Sequence, residues 1–449
     1  MSAPSLRLGG ARRERVVPWA VVAVALALLG VAASVWRPLA PAVGAVDTDL
    51  ATFAPEVMTA VETYRAPRYL VAGVATSLGV LVPLLVACTG RGRTLVRRVA
   101  GAATHSPLRG AAVAVVVAAL TSVATLPLAG WLRIVHDGRW GFRTQPWTGW
   151  VLDWVTVSAG TWATMGVLAA VLLAAVRRWP RSWPYRLTVL GTLLAVGVVT
   201  LHPLVLQPVL LPTAPLPEGE TRAVAEQLLD EMELGDLPLY VGEASARTTR
   251  VNALVTGLGP TERVVLYDTL LEQPPEQIRS VLAHELAHRE HRDLLRGVMA
   301  ASAALLVGLL LLRTVVWSSA GRRLVRARGP TDPRLIALVV ATAAVLELAG
   351  TPVGNHLSRR AEAAADHRAV QVTGEPGVQV ATTRAFTVRD LSAPDPPRWA
   401  QLMYGTHPTV TQRIRAAVAW SDAEDLPDRE DLEEAERDLA HSSVREGPP

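Results

Sequence analysis

Several uninterrupted apolar runs, each long enough to cross a lipid bilayer, constrain this chain more than any other feature of its sequence. A membrane-spanning helix needs about 20 predominantly apolar residues. Half of the 449 residues are hydrophobic, and they are concentrated in such runs. The first run can also be interpreted as a cleaved signal peptide, but the many later runs favour a membrane anchor. We predict seven spans, at residues 16–36, 69–88, 111–132, 151–176, 187–206, 294–317 and 335–353.

One long polar segment interrupts the spans. Residues 208–293 have the pattern of a small soluble domain, in which short elements are separated by glycine-containing turns. This segment ends in a charged helix that leads almost directly into the sixth span, so we expect the domain to lie at the membrane surface. Its other predicted elements are an amphipathic helix at 220–234 and strands at 237–241, 250–256 and 263–267.

The end of this polar segment carries the clearest chemical signal. Residues 281–293 read VLAHELAHREHRD, in which His284, Glu285 and His288 form a His-Glu-x-x-His motif. On a helix, positions i and i+4 lie on one face, one turn apart. The two imidazoles can therefore hold one Zn²⁺, and Glu285 beside the metal can accept a proton from its water. The alternative is a chance match on a charged helix, which the scarcity of histidine disfavours, since the chain has only ten.

A catalytic zinc site takes three protein ligands and leaves one position open. Glu362 and Asp366 are four residues apart in a polar segment that follows the seventh span, which brings them to the same membrane surface as His284. We predict that Glu362 is the third ligand and that Asp366 orients a ligand imidazole. His291 competes as a ligand, but the carboxylate fits better. The structural alternative is an exposed helix face of arginine and glutamate.

These features predict a mainly α, multi-pass membrane helical bundle of about seven spans with a small α+β catalytic domain of the zincin type. The acidic tail has no apolar stripe, and we expect it to be mobile. The predicted parts are an N-terminal membrane domain with five spans (1–207), the catalytic domain with its zinc helix (208–293), the sixth and seventh spans (294–356), the third-ligand helix with the C-terminal part of the catalytic domain (357–420), and the tail (421–449).

Charge and cysteine content exclude other classes of protein. The net charge of +4 is small, and the arginines cluster beside the apolar runs, which indicates membrane topology rather than nucleic-acid binding. Cys88 is the only cysteine, so an intramolecular disulfide and a cysteine-ligated zinc site are both excluded. The expected partners are therefore the lipid bilayer and a peptide or protein substrate, with no nucleic acid, and the expected location is the cell membrane.

Four blocks of this sequence resemble the integral-membrane zinc metallopeptidases typified by the type 1 CAAX prenyl protease, which have the HtpX-like heat-shock membrane proteases as relatives. Gly141 and Phe142 after the third span, together with seven spans in all, are more similar to the prenyl protease branch. The resemblance covers about 142 to 414 and implies an endopeptidase with one Zn²⁺ per chain. The blocks are VNALVTGLGPTERVVLYDTLL (251–271), HELAH (284–288), SRRAEAAAD (358–366) and THPTVTQRI (406–414).

The resemblance also implies roles for residues outside the zinc motif. Asn252 and Ala253 would lie on a strand that lines the cleft and binds an extended substrate by strand addition. His407 would stabilise the oxyanion beside the zinc, and Arg413 would help it to shape the site. By its sequence position alone, His407 would more commonly be a core or surface histidine. Glu347 in the seventh span should face the bundle interior or water, either lining a chamber or pairing with an arginine.

The distribution of arginine predicts how the chain crosses the membrane. Arginine-rich segments occur at the N-terminus and at 91–109, 177–186 and 313–328, and seven spans place all four on one side. The positive-inside rule then puts the N-terminus in the cytoplasm and the zinc domain outside. The resemblance implies the opposite, because prenyl proteases act on cytosolic lipidated substrates. One span more or fewer would reverse the prediction.

The predicted function is a membrane-embedded zinc metalloendopeptidase in which Glu285 is the general base and His407 stabilises the oxyanion. One alternative is a signal transducer whose metalloprotease domain cleaves a regulator, and another is an HtpX-like quality-control protease. A third is a non-catalytic membrane protein with a structural metal, against which the intact Glu285 argues.

Overall fold

The structure, a computed structural model, describes residues 51–102 and 105–424. The predicted span 16–36 and the tail from 425 onward lie outside the described residues. The main helices, numbered in chain order, are α1 (Pro55–Cys88), α2 (Gly90–Ala100), α3 (Pro107–Gly130), α4 (Trp147–Arg178), α5 (Trp183–Val205), α6 (Glu220–Glu231), α7 (Pro275–Glu290), α8 (Asp293–Trp317), α9 (Ser319–Leu324), α10 (Leu335–Thr373), α11 (Pro376–Asp390), α12 (Arg398–Tyr404) and α13 (Val410–Glu424). A π-helical segment (Trp131–His136) and a short helix (Asp137–Arg139) continue α3, and another short helix (Gln207–Leu210) follows α5.

The multi-pass membrane fold is confirmed. Among the described residues, six helices are long and apolar enough to cross a membrane, namely α1, α3, α4, α5, α8 and α10. They correspond to the six predicted spans that the structure describes. A helix is stable in the lipid bilayer because its backbone groups hydrogen-bond to one another, where lipid offers no hydrogen-bond partners. Many large side chains on these helices are exposed, including Leu70, Val189 and Leu193, as expected for surfaces in contact with lipid.

The best-packed part of the membrane bundle lies at the end remote from the polar domain. Trp183 and Ile336 are completely buried there, in a cluster with Val96 of α2 and Val316 of α8. Small residues bring α3 and α4 close together: a Cβ added to Gly166 would lie 3.1 Å from Val115 Cγ2. Close packing over small residues is a common way for membrane helices to associate, because lipid supplies no hydrophobic driving force between them.

The polar segment forms a four-stranded sheet with the order β1-β2-β4-β3, where β1 is Thr213–Pro215, β2 is Leu239–Gly242, β3 is Ala253–Thr256 and β4 is Arg263–Tyr267. β2 and β4 are parallel, whereas β1 pairs antiparallel with β2 and β3 pairs antiparallel with β4. The three longer strands and α6 confirm the α+β prediction. β1 was missed, because three residues with a proline carry no strand signal. The order leaves β3 at an edge of this sheet.

The zinc-motif helix α7 is joined to the membrane helix α8 by a sharp turn. Arg292, between the two helices, has φ = 56° and the left-handed conformation. A non-glycine residue rarely adopts this conformation, so the turn is a specific feature of the chain path. The turn brings the first residue of α8, Asp293, back towards α7.

Helix α10 carries the chain from the membrane to the site without interruption. It runs for 39 residues and contains Pro352, which a membrane helix can tolerate. The predicted division of the chain at 356 therefore falls inside a continuous helix. Beyond the membrane, Ala365 and Ala369 of α10 are buried in one cluster with Ala283 and Ala287 of α7. These small side chains let the two helix backbones approach closely, which sets the geometry of the site.

A buried polar network joins the membrane bundle to the polar domain. Asp137, which follows α3, is buried and accepts hydrogen bonds from Tyr64 Oη of α1 (3.0 Å) and Arg133 Nη1 (3.0 Å), and it also pairs with Arg68. Arg250 Nη2, just before β3, donates to Tyr64 Oη at 2.7 Å. Buried charges are tolerated when they are paired and hydrogen-bonded in this way, and the network fixes where the edge strand β3 begins.

Candidate metal centre

Two imidazoles face each other on the inner side of α7. His284 Nε2 and His288 Nε2 are 3.2 Å apart, and the two rings are nearly perpendicular. The helix starts at Pro275, in its first turn, where proline costs no hydrogen bond. Its apolar stripe packs on the sheet, since Ile278, Leu282 and Leu286 are buried in one cluster with Leu266 of β4. This packing leaves the histidine face directed towards α10.

Glu362 of α10 meets both imidazoles. Its Oε2 lies 3.2 Å from His284 Nε2, and its Oε1 lies 3.7 Å from His288 Nε2. The three side chains each offer one ligand atom, and these atoms lie within 4.8 Å of one another. The structure therefore brings together the three residues that the sequence analysis selected as a ligand set. Among the described residues, this is the group of three or more histidine, cysteine or acidic side chains that could hold a metal ion.

A carboxylate flanks the outer nitrogen of each imidazole. His284 Nδ1 lies 2.9 Å from Asp366 Oδ1, and His288 Nδ1 lies 2.9 Å from Asp293 Oδ2. A carboxylate beside Nδ1 favours a proton on that nitrogen, which leaves Nε2 available as a metal ligand. Asp366 was expected in this role. Asp293 was missed: five residues after His288 it would point away on a continuous helix, and only the turn at Arg292 brings it back.

Asp366 is itself held in place by three hydrogen bonds from two side chains. Arg413 binds it with two nitrogens, Nη2 to Oδ1 at 2.6 Å and Nε to Oδ2 at 2.8 Å, and Gln379 Nε2 donates to Oδ1 at 3.1 Å. Such a two-point arginine–carboxylate contact is rigid and directional. Arg413, which we expected to act together with His407, therefore bonds the carboxylate that orients His284.

The donor set fits a zinc ion. When each imidazole is neutral and keeps its proton on Nδ1, beside the flanking carboxylate, its Nε2 lone pair is directed towards Glu362. Tetrahedral zinc with Zn–N bonds of about 2.0–2.1 Å separates two nitrogen ligands by about 3.3 Å, close to the 3.2 Å observed. Glu362 Oε2 is buried and lies 3.2 Å from the Nε2 atoms of both His284 and His407. Two nitrogens and a carboxylate that converge in this way form a cluster that could hold a metal ion.

The pKa values of the two imidazoles also indicate a site that favours positive charge. Burial lowers the pKa of His284, but Asp366 and Glu362 outweigh it and raise this pKa to about 9. Burial likewise lowers the pKa of His288, whereas Asp293 and Glu362 raise it to about 10. The site is therefore strongly favourable for positive charge, and a metal ion that binds there displaces those protons.

Glu285 lies beside the three candidate ligands. It lines the same cavity as His288, Glu362 and His407. Burial raises the pKa of Glu285, although the imidazoles of His284 and His288 act in the opposite direction. A raised pKa in a carboxylate beside a metal-ligand cluster is typical of a general base that must later release its proton.

The cavity has a volume of about 1650 Å³ and continues from the metal centre into the membrane bundle. Asn252 and Ala253, together with Val255, line it along the edge strand β3, as expected for residues that contact a substrate. Its inner walls come from α8 and α10 and are mostly small and apolar, for example Ala301, Gly308 and Gly350. Glu347, in contrast, is exposed on the surface of the described bundle and does not line this cavity.

His407 completes the site from the C-terminal part. Its Nε2 lies 3.2 Å from Glu362 Oε2, and its side chain is 56% exposed towards the cavity mouth. Thr406 Oγ1 lies 2.9 Å from His407 Nδ1. A hydroxyl that donates to Nδ1 selects the tautomer whose Nε2–H points into the site. Thr406 begins the block at 406–414, but the sequence analysis gave it no role, because its contact with the His407 ring is visible only in the structure.

The loop that presents His407 is tied to α10. Arg359 Nη1 donates to the carbonyls of Gly405 (2.6 Å) and Gln401 (3.1 Å), and Gln401 Nε2 donates to the His407 carbonyl (2.8 Å). Asn355 Nδ2 donates to the Leu402 carbonyl at 3.0 Å. Arg359 lies in the same block as Glu362, three residues before it, so α10 positions both the third candidate ligand and the loop of His407.

Comparison with known proteins gives two family matches. A model for peptidase family M48 matches residues 215–421, and a model for the CAAX prenyl protease N-terminal region, with five membrane helices, matches residues 51–211. Together they span the membrane helices that the structure describes and the whole metal centre.

Three individual proteins illustrate the similarity. "Uncharacterized metalloprotease YhfN" of Bacillus subtilis is 25% identical over 324 residues, 71% of this chain and 74% of that protein. "CAAX prenyl protease 1 homolog" of Arabidopsis thaliana is 26% identical over 307 residues, 66% of this chain and 70% of that protein. The crystal structure of Ste24p from S. mikatae has a TM-score of 0.71 and 18% identity, and the match covers 90% of this chain and 98% of that one.

Proposed function

Because the chain belongs to peptidase family M48 and is a multi-pass membrane metalloprotease, we propose that it is an endopeptidase with one zinc ion, held by His284, His288 and Glu362. The observation that carries this proposal is the convergence of three ligand atoms within 4.8 Å of one another on two helices. The flanking carboxylates Asp366 and Asp293 support it, since they leave both Nε2 atoms free for the metal.

The chemistry at this site is peptide hydrolysis by water. When bound, zinc supplies a Lewis acid that acidifies water and polarises a carbonyl oxygen. Glu285 removes the proton from the attacking water, and its raised pKa lets it hold that proton until the amine leaves. Glu285 then protonates the leaving amine, so the proton returns to the product and the carboxylate is regenerated.

We assign His407 to the stabilisation of the developing oxyanion. In the tautomer in which His407 Nδ1 accepts from the Thr406 hydroxyl, Nε2–H is a donor at the edge of the metal centre, and this Nε2 lies 3.2 Å from Glu362 Oε2. Donors placed where negative charge develops stabilise the transition state more than the substrate. The exposed position of His407 at the cavity mouth lets it reach a bound peptide without moving the metal ligands.

The edge strand β3 supports binding of an extended peptide. It pairs with β4 on one side, and Asn252 and Ala253 line the cavity at its start. A peptide that adds to this edge would place its backbone beside Glu285 and the metal, with side chains alternating towards the cavity and away from it. A cavity open at this edge suits cleavage within a chain, that is, endopeptidase activity.

The first test is zinc content and cleavage of an unstructured protein by detergent-purified wild type and Glu285→Gln. We expect stoichiometric zinc in both proteins and a kcat about 10²- to 10⁴-fold lower in the variant, the usual contribution of a general base. Glu276→Gln is a matched control, because Glu276 is an exposed glutamate in the first turn of the same helix. Zinc in neither protein, or full activity in Glu285→Gln, would refute the proposed mechanism.

A further inference from the structure

We infer that the catalytic site faces the extracytoplasmic side of the membrane, so that its substrates are polypeptide segments exposed on that side. That these segments are substrates rests on the proposed function. The orientation itself rests on the placement of charged residues around the described helices. The orientation is not a consequence of family membership, since the resemblance to prenyl proteases implies a cytosolic site.

Three connections between membrane helices meet at the end of the bundle remote from the metal centre. Arg93 Nη1, in the α1–α3 connection, donates to the Leu324 carbonyl in the α8–α10 connection at 3.1 Å. Arg334 Nη2 donates to the Gly101 carbonyl at 3.4 Å, which joins the same two connections again. Arg313 Nη1 donates to the Arg181 carbonyl at 2.7 Å, which adds the α4–α5 connection. The three segments therefore form one face.

We call this surface the basic face and define it as residues 89–102, 105–109, 177–186 and 313–334. It carries fifteen arginines and one acidic residue, Asp332. Such an excess of one sign in short connections is the sequence signal that sets membrane orientation. The arginines are Arg91, Arg93, Arg97, Arg98 and Arg109 in the first connection, Arg177, Arg178, Arg181 and Arg186 in the second, and Arg313, Arg322, Arg323, Arg326, Arg328 and Arg334 in the third.

The face that holds the metal centre has a different charge. Its connection between α3 and α4, residues 131–146, contains three arginines, Arg133, Arg139 and Arg143, and one acidic residue, Asp137. Its long polar segment, residues 208–292, contains fourteen acidic residues and seven arginines. Long segments cross the membrane with little regard to charge, so the short connections decide the orientation. Fifteen arginines on one face against three in the opposing short connection favour a cytoplasmic basic face.

The physical reason for this rule is that arginine is held on the cytoplasmic side by the membrane potential and by anionic lipid headgroups. Because the described helices fix the two faces relative to each other, a cytoplasmic basic face places the metal centre outside. The substrates would then be exported polypeptides or the extracytoplasmic segments of membrane proteins. Cytosolic C-termini could not reach the cavity mouth.

Cysteine labelling tests the orientation directly. Cys88 is the only cysteine, and it is exposed at the end of α1 beside the basic face. We expect a membrane-impermeant maleimide to label Cys88 only after intact cells are permeabilised. Arg91→Cys in a Cys88→Ser background repeats the test at an exposed position near the start of α2. Glu272→Cys in that background, exposed in the loop before α7 on the site face, should be labelled in intact cells.

The opposite pattern, with Cys88 or Arg91→Cys labelled in intact cells and Glu272→Cys protected, would overturn the inference. Repeating the labelling with Glu285→Gln separates orientation from activity, because both proteins should give the same pattern. Right-side-out vesicles that cleave an added unstructured polypeptide, with loss of cleavage in Glu285→Gln, would connect the two. Correct labelling without cleavage in vesicles or detergent would refute the proposed function and leave the orientation standing.

Discussion

Among single residues, the partners of the two imidazoles differ in how firmly they are held. Asp366 is buried and bonded by Arg413 and Gln379, so His284 is fixed by a closed network. Asp293 begins α8 and pairs with Arg296 at 3.5 Å through its Oδ1. His288 therefore depends on a carboxylate that one membrane helix supplies and one strained residue, Arg292, positions.

Asp293→Asn should weaken zinc binding. The substitution keeps an acceptor for the His288 Nδ1 proton but removes the negative charge that makes this imidazole a strong donor to the metal. Loss of such a partner typically costs about 10- to 100-fold in metal affinity. Competition with a zinc chelator of known affinity measures the change.

Asp230→Asn is the control for Asp293→Asn, because Asp230 is an exposed acidic residue near the end of α6. An unchanged zinc affinity in Asp293→Asn would show that this carboxylate does not act on the metal site. A loss equal to that of Asp230→Asn would show a general charge effect instead.

The site residues that lie along one helix could be predicted from the sequence, whereas one that lies beyond a turn could not. His284, Glu285 and His288 could be predicted as a unit because four residues on a helix return to the same face. The same rule paired Glu362 with Asp366. Asp293 could not be found in this way, since its approach to His288 depends on the left-handed turn at Arg292. Helical periodicity predicts which residues share a face of one helix, but it does not predict contacts made after the backbone turns.

At the scale of elements, the short helix α12 and the loop after it decide where His407 stands. The chain from 401 to 407 is attached to α10 through Arg359, which donates to two of its carbonyls. Trp399 of α12 also packs edge-on against Tyr69 of α1, with ring centroids 6.1 Å apart. The loop is therefore clamped between two membrane helices.

Arg359→Gln should lower kcat about tenfold while zinc content stays unchanged, because a displaced His407 loses part of its typical oxyanion stabilisation. If Arg359 acts only through His407, the substitution should have little further effect in a His407→Ala background. Steady-state kinetics of the two single variants and the double variant measure this coupling.

Arg360→Gln is the matched control for this cycle, since Arg360 is the neighbouring arginine and makes neither of these two bonds. An additive double variant would mean that Arg359 acts on something other than His407. The attachment of this loop to α10 could not be predicted from the sequence. Every residue has a backbone carbonyl, so the sequence does not show which carbonyls accept hydrogen bonds from Arg359.

At the scale of the whole molecule, the metal centre joins the polar domain to the membrane bundle. His284 and His288 belong to a helix that packs on the sheet, whereas Glu362 belongs to a helix that crosses the membrane. A metal ion between them is a crosslink between two parts of the fold that are far apart in the sequence.

Removal of zinc should therefore lower the melting temperature of the protein in detergent. A ligand that binds only the folded state stabilises it by about 2.7 kcal/mol at a hundredfold excess over its Kd. We expect a chelator to lower the Tm of the wild type, and added zinc to restore it. Differential scanning fluorimetry follows both steps.

Glu362→Gln is the control for the chelator experiment, because it removes the ligand that α10 contributes. Its Tm should respond much less to the chelator and to zinc. An equal response in both proteins would mean that the metal contributes stability at another place, and would argue against this ligand set.

The overall architecture could be predicted where it depends on the hydrophobicity of long segments. Six apolar helices and the polar domain between α5 and α8 follow directly from hydrophobicity. The network around Asp137 was not predictable, because its members come from α1, from the end of α3 and from the segment before β3. Contacts between distant segments need the fold before they can be seen.

The length of α10 sets a distance from the bilayer to the point of cleavage. Glu362 lies 27 residues after Leu335, where α10 begins beside the basic face, which is about 40 Å at 1.5 Å per residue. The hydrocarbon layer takes up about 30 Å of this length. The metal centre therefore stands at most about 10 Å above the hydrocarbon, a gap that about three extended residues can bridge. The helix acts as a ruler, and a membrane-anchored chain would be cut close to the point where it leaves the lipid.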